Sequence, residues 1–336
     1  MRFLLTTEPG IEDVAAAEVR DSLPTAHVLD TPDEQRGLVF VDAEATEPFL
    51  ELTTIDHVIE VRAEGDAATL DDVRRAVARV EFSELAGDAS FRVTSNCPGE
   101  HAFTRRELEG AAGAVLQRRY GARVDLTGAD LNVRVDLYGS RLVAGVQRTD
   151  RPLGRRLRRA KALRTSIKPT TAAAMVRLAG AHRGAGRLID PLCGAGTIPV
   201  EAKRINPRLD VYACDWDRAT AEVAEGTVAN HALEIDVRVC DSRSLRKTYP
   251  EPFDFIVTDP PYGVRLGKQW GVATLYRELI PSWEAALADD GRIVVALVKF
   301  KTFLGALENS GLQLLSEREV GTGELQPRIV VLGRSC

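Results

Sequence analysis

Leu188-Ile189-Asp190-Pro191-Leu192-Cys193-Gly194-Ala195-Gly196-Thr197-Ile198-Pro199-Val200-Glu201-Ala202 decides how the C-terminal half of the chain is read. A short apolar run ends on an acid, a glycine-rich turn follows, and helical spacing starts near Thr197. This is the order of a βα unit. Gly194 and Gly196 let the backbone approach a ligand where a Cβ would intervene. The alternation extends outward on both sides. Residues 172–181 have helical spacing. Strands are expected at 187–190, 211–215, 237–241, 253–259, 292–298, 312–320 and 329–332, with helices between most of them. Such alternation predicts an α/β fold over residues 170–336: a doubly wound, mostly parallel seven-stranded sheet covered on both faces.

Ligands of open α/β sheets bind beyond the carboxyl ends of the strands, at the topological switch point. A Gly-x-Gly turn alone also serves a ligand-free βα connection, so the weight rests on two further acids. Asp215 ends the next expected strand and Asp241 the one after. A carboxylate at the first position can accept both ribose hydroxyls, and one at the second an adenine amino group. The pair fits adenosine. A dinucleotide fingerprint requires a third glycine where this chain has Pro199. Asp190, ahead of the glycines, would repel a pyrophosphate but could engage the ammonium of a methionine moiety. Charge matching favours S-adenosylmethionine over NAD.

The fourth strand of this half runs into Thr258-Asp259-Pro260-Pro261-Tyr262-Gly263. Two prolines stiffen the turn and remove backbone donors. Pro-Pro alone would also suit a plain strand-end turn; its place beside the cofactor-loop strand points to chemistry. An exocyclic amine on a nucleobase is a poor nucleophile, because its lone pair is delocalised into the ring. Asp259 can accept one N–H and the Pro260 carbonyl the other, offsetting the charge that develops as the nitrogen attacks. Tyr262 can stack on the base.

Charge is unevenly distributed. Residues 1–60 hold 3 basic and 14 acidic side chains, whereas residues 101–168 hold 16 basic and 6 acidic. The densest basic stretch runs from Arg148 through Arg151, Arg155, Arg156, Arg158 and Arg159 to Lys161. A solvated linker face is one reading of such a run. Arginine in preference to lysine suits bidentate phosphate contacts and stacking on bases, which points to nucleic acid. Ahead of it, residues 71–80 and 104–119 are expected as helices, the second opened by a capping box of Thr104 and Glu107. Residues 91–95, 131–137 and 141–146 are expected as strands, the last two forming a hairpin. In the first zone, a strand at 2–6, a helix at 12–22 and a strand at 37–41 are expected.

The chain has 336 residues, 44% of them hydrophobic and 28% charged, with a net charge of −5, which excludes disordered, collagenous and membrane-spanning classes. The apolar run 293–298 is too short to cross a bilayer, and Met1–Gly10 does not read as a signal peptide. The cysteines at 97, 193, 214, 240 and 336 are odd in number and widely spaced, so reduced thiols in a cytoplasm are expected, with neither a disulfide framework nor a metal site.

With these motifs on the page, residues 170–336 resemble class I S-adenosylmethionine-dependent methyltransferases that carry Asn/Asp-Pro-Pro-Tyr/Phe and methylate amines. The stretches Phe91–Ser95, Gly99–Glu107, Val124–Leu126 and Asn132–Val135 resemble a THUMP RNA-binding domain. Leu153–Arg158 is similar to the linker of THUMP-containing RNA guanine-N2 methyltransferases. The order of parts and the segment 326–332 are most like the tRNA (guanine(6)-N2)-methyltransferase family.

The resemblance implies four parts: an α+β ferredoxin-like subdomain at 1–60, a THUMP domain at 61–150, a basic linker at 151–169 and a methyltransferase domain at 170–336. It also implies that S-adenosylmethionine is held by Thr170, Asp190, Leu192, Cys193, Gly194, Ala195, Gly196, Thr197, Asp215, Trp216, Asp241 and Ser242. Asp259, Pro260, Pro261 and Tyr262 are the expected catalytic turn. Arg105, Arg106, Arg148, Arg151, Arg155, Arg156, Arg158, Arg159 and Lys161 are expected to bind RNA. The implied substrate is the N2 amine of guanosine 6 in tRNA; no membrane is expected, and no obligate protein partner is evident from the sequence. Guanosine 10, a ribosomal RNA guanine or an adenine N6 amine are alternatives, as is a catalytically silent RNA-binding protein.

Overall fold

The computed structural model describes residues 1–29, 36–161, 166–261, 271–321 and 327–335. Tyr262, Gly263 and Gln326 lie outside the described residues. Two compact units result, one of residues 1–7 and 16–153, the other of residues 8–15 and 154–336.

The first unit is built on β1 (Arg2–Thr6), β2 (His27–Val28), β3 (Leu38–Asp42), β4 (His57–Asp66), β5 (Ser90–Thr94), β6 (Arg123–Val124), β7 (Leu131–Tyr138) and β8 (Arg141–Gln147). They form one sheet of order β2-β3-β1-β4-β8-β7-β5-β6. The boundary expected at 60/61 therefore falls inside β4, which pairs with β1 on one side and β8 on the other. The sequence reading had no strand there. The helix α1 (Glu12–Ser22) matches its expected bounds, whereas α2 (Leu70–Arg79) starts one residue early. Its start is set by Thr69, which forms a capping box with Asp72. In α3 (Arg105–Tyr120) the expected box is present: Thr104 N–H donates to Glu107 at 2.7 Å, and Glu107 N–H to Thr104 Oγ1 at 3.3 Å. The β7–β8 hairpin turns through Gly139-Ser140, with Gly139 at φ +60°.

The second unit alternates as expected. It holds α4 (Pro169–Leu178), β9 (Gly186–Asp190), α5 (Thr197–Ile205), β10 (Leu209–Asp215), α6 (Arg218–Ala229), β11 (Asp236–Val239), α7 (Leu245–Thr248) and β12 (Phe253–Thr258). Beyond these come α8 (Val272–Ala286), β13 (Leu287–Leu297), α9 (Phe300–Leu307), β14 (Leu312–Glu319) and β15 (Arg328–Arg334). The seven-stranded sheet has the order β11-β10-β9-β12-β13-β15-β14. Strands β9 to β13 pair in parallel, and β15 runs antiparallel to both β13 and β14. Both faces are covered, which is why the strands read as near-continuous apolar runs. Ile256, Ile293 and Val295 enter one buried cluster, while Val257, Val294 and Ala296 enter the other. The chain leaves β9 towards β10 and β11, then returns to place β12 on β9's other side. That reversal puts the loops after β9 and β12 on either side of the switch-point crevice.

Two expectations are corrected here. Helix α4 begins at Pro169, not Ala172, because proline at the first helical position gives up a donor that no helical carbonyl would accept. Cys214 and Cys240 form a disulfide, where reduced thiols were expected. Their separation of 26 residues hid the contact, since parallel pairing of β10 and β11 brings the two strand ends together.

Candidate active site

The glycine-rich loop after β9 is held by its neighbours. Cys193 N–H donates to the Cys214 carbonyl at 2.9 Å, and Gly194 N–H to Asp215 Oδ2 at 3.2 Å. Cys240 N–H in turn donates to the Asp215 carbonyl at 3.0 Å, tying the end of β11 to that of β10. Gly194 and Gly196 have φ of +52° and +80°, and a Cβ built on Gly194 would meet nothing within 4 Å. The loop is thus a left-handed turn open on one side, and Gly196 caps α5.

Asp190 is buried beneath this loop. Its carboxylate accepts Thr258 Oγ1–H at 2.7 Å and Leu192 N–H at 3.2 Å. Burial pushes its carboxyl up to about 7, and the charges of Asp259 and Asp215 add to the rise, while the Thr258 and Leu192 bonds oppose it. Thr258 is the last residue of β12, so its hydroxyl joins the end of β9, ahead of the glycine-rich loop, to the start of the Asp259 turn. The sequence reading missed that role. A hydroxyl at the end of the strand beside Asp190's was the available signal.

Asp215 is buried, its carboxylate accepting the N–H groups of Gly194 and Asp217, and desolvation holds it above the usual carboxylate range. Trp216 stands in solvent, 76% exposed, at the next position. Cys193, Ala195 and Thr197 are buried, and Leu192 packs on the core. At the start of α4, Thr170 Oγ1 is buried with no hydrogen-bond partner among the described residues.

Asp241 and Ser242 are placed differently from expectation. Asp241 lies two residues beyond β11, and its carboxylate grips Arg243, with Oδ2–Nη2 at 2.7 Å and Oδ1–Nε at 2.9 Å. That bond holds it below the usual carboxylate range. The Ser242 hydroxyl faces the core, where it accepts the Trp283 indole N–H at 2.9 Å.

In the turn after β12 Asp259 is half-buried, Pro260 buried and Pro261 exposed, and Tyr262 falls outside the described residues. Tyr276 of α8 is fully buried, its Oη without a hydrogen-bond partner among the described residues. Burial, together with the charge of Asp259, pushes its phenol up to about 12.

The basic residues divide. Arg106, Arg151, Arg155 and Lys161 are exposed, Arg156 is half-buried, and exposed Arg105 pairs with Glu109 at 2.9 Å. Three have partners within the protein, the exposed Arg158 among them. Arg148 is pinned by Glu60 at 2.8 Å and Glu84 at 2.9 Å. Arg158 donates to the Asn230 carbonyl at 2.9 Å. Arg159 donates to Thr197 Oγ1 at 3.1 Å and to the Ile167 carbonyl at 2.8 Å. Among the described residues, no three His, Cys, Asp or Glu side chains gather to hold a metal, and no helix is long and apolar enough to cross a membrane.

Residues 155–328 match the RMKL-like methyltransferase domain, and residues 67–145 match the THUMP domain. The chain is 36% identical to the tRNA (guanine(6)-N2)-methyltransferase of Thermus thermophilus, across 97% of this chain and 98% of that one. It is 30% identical to the tRNA (guanine(10)-N2)-dimethyltransferase of Methanothermobacter thermautotrophicus, across 68% of each. The crystal structure of TrmN from Thermus thermophilus superposes with a TM-score of 0.86 at 34% identity, covering 99% of both chains.

Proposed function

The chain belongs to the THUMP-bearing, RMKL-like methyltransferase family of the tRNA (guanine(6)-N2)-methyltransferases, and from that premise we propose that it methylates the exocyclic N2 amine of guanosine 6 in tRNA, with S-adenosylmethionine as donor. The observation that carries the reading is the parallel β9–β12 pairing. It sets the glycine-rich loop and the Asp259 turn side by side, joined through Thr258 and Asp190. The guanosine-10 relative matches over a smaller share of the chain, which favours position 6. A tRNA substrate makes the cytoplasm the proposed compartment.

The donor supplies an electrophilic methyl group on a sulfonium. In this reading Asp190 balances the ammonium of the methionine moiety, Asp215 accepts the ribose hydroxyls, and Trp216 covers the adenine. The cradle fits: it is open beside Gly194, acidic at Asp190 and Asp215, and edged by the unpartnered Thr170 hydroxyl. Asp259 and the Pro260 carbonyl accept the two amine hydrogens and so favour the lone pair that attacks. Asp259 need not take the proton in the transition state, because the methylated product is acidic enough to lose it afterwards. The exposed arginines and Lys161 supply phosphate contacts that offset the few kcal/mol needed to flip the guanosine from its stem.

The test is methyl transfer to tRNA transcripts bearing guanosine or adenosine at position 6, followed by nucleoside mass spectrometry. N2-methylguanosine is expected only from the first. Equal methylation of both would move the site to guanosine 10 or elsewhere.

Two results are expected at the cofactor. Asp215→Ala should weaken S-adenosylmethionine binding by about 1–3 kcal/mol in calorimetry, leaving tRNA affinity nearly unchanged. The second concerns pH. The folded carboxyl of Asp190 titrates near 7, above its ordinary unfolded value, so the stability it contributes is present at low pH and lost as pH rises through about 7. A bound ammonium favours the ionised form. Cofactor affinity should therefore rise as pH goes from 6 to 8, by up to about tenfold per unit below the folded value. Asp190→Asn should flatten this dependence; an unchanged slope would remove Asp190 from the site.

A further inference from the structure

The segment expected to be an RNA-binding linker is folded onto the methyltransferase unit. Leu157 is buried with Val200 of α5 and Val228 of α6. Ala160 N–H donates to Thr227 Oγ1 at 3.1 Å, and a Cβ on Gly226 would come within 2.9 Å of the Ala160 Cβ. Glycine at 226 is what lets the segment lie this close. Arg158 N–H donates to His231 Nε2 at 2.9 Å, and Asn230 Nδ2 donates to the Arg158 carbonyl at 3.3 Å. Residues 157–160 thus form a strap across two helices of the cofactor-binding half.

Arg159 is the residue of the strap that reaches the cofactor loop. Its Nε–H meets the hydroxyl of Thr197, the first residue of α5, directly after Gly196. Its Nη2 meets the carbonyl of Ile167, three residues ahead of Thr170. One guanidinium therefore bridges the two backbone segments that flank the proposed methionine end of the site. We propose that Arg159 is a positioning residue for S-adenosylmethionine binding, acting through Thr197 and the 167–170 segment. This rests on the cofactor reading given above.

The physical need is clear. Gly194 and Gly196 lack side chains that could fix the loop, so its ordering depends on anchors at its ends. Asp215 holds one end and Thr197 begins the other. Anchoring before binding reduces the ordering cost on binding. The guanidinium suits the task, since its planar fork directs separate donors to two acceptors, which an ammonium does not reproduce.

The test compares wild type, Arg159→Met and Arg159→Lys. Calorimetry gives S-adenosylmethionine affinity, steady-state kinetics give KM and kcat, and binding across a salt series gives the tRNA slope. For Arg159→Met, Kd and KM for S-adenosylmethionine should rise about tenfold, the loss of a hydrogen-bonded charge, with kcat within about threefold and the tRNA salt slope unchanged. Arg159→Lys keeps the stem and the charge and should restore part of the affinity; it gives the same readout if Arg159→Met does not fold. Unchanged cofactor Kd and KM in a wild type that binds S-adenosylmethionine would overturn the proposal. So would a salt slope reduced by about 0.7–0.9, which would make Arg159 a phosphate contact. A wild type that fails to bind S-adenosylmethionine overturns the cofactor reading instead.

Discussion

Replacing Asp259 with Ala is expected to lower the single-turnover methyl-transfer rate by about 10²-fold or more, leaving tRNA and cofactor affinities within a few-fold of wild type. The reason lies in when the carboxylate matters. In the ground state, the amine hydrogens can bond to water about as well as to Asp259. As the nitrogen attacks it gains positive charge, and an anion fixed beside it in a half-buried turn then counts for more. Asp259→Asn keeps a neutral acceptor at the same place. It should recover part of the lost rate, separating the contribution of the acceptor from that of the charge. A variant with near-normal single-turnover rates would mean that the turn positions the base without assisting attack.

The second large effect is expected in tRNA binding. Arg151, Arg155, Arg158 and Lys161 are exposed, but Arg158, like the half-buried Arg148 and Arg159, has a partner within the protein, which leaves Arg151, Arg155 and Lys161 for the test. Changing Arg151, Arg155 and Lys161 together to Ala should reduce the slope of log K against log salt by about 2–3, at about 0.7–0.9 per lost phosphate contact. At an ionic strength of about 0.15 M that amounts to about 100-fold weaker binding across tRNA species. Cofactor affinity and thermal stability should stay close to wild type, because these side chains stand in solvent. Lost thermal stability with an unaltered salt slope would assign them a structural role.

Neighbouring residues carried the legible part of the site. Asp190 with its glycines and Asp259 with its prolines each lie within a few residues, so spacing alone marked the two strand ends. The capping box of Thr104 and Glu107 was legible for the same reason: its hydrogen bonds close over three residues. Strand β4 escaped because its alternation breaks at Arg62-Ala63-Glu64-Gly65-Asp66, and only pairing with β8 holds those residues in a sheet.

By itself the sequence determined the alternating α/β architecture, the glycine-rich turn after one strand, the Asp-Pro-Pro turn after another and the basic character of residues 101–168. These follow from local periodicity, turn chemistry and charge, which act between residues close in the chain. Tertiary structure decided which groups those residues meet. It spread one sheet across the expected boundary at 60, joined Cys214 to Cys240, and gave Asp241 to Arg243 and Ser242 to Trp283. It also gave three of one run of arginines, Arg148, Arg158 and Arg159, partners within the protein. An arginine has five donors and no preference written in its neighbours. Whether it meets phosphate or a carbonyl depends on what folding brings alongside, as with Arg158 and Asn230, 72 residues apart.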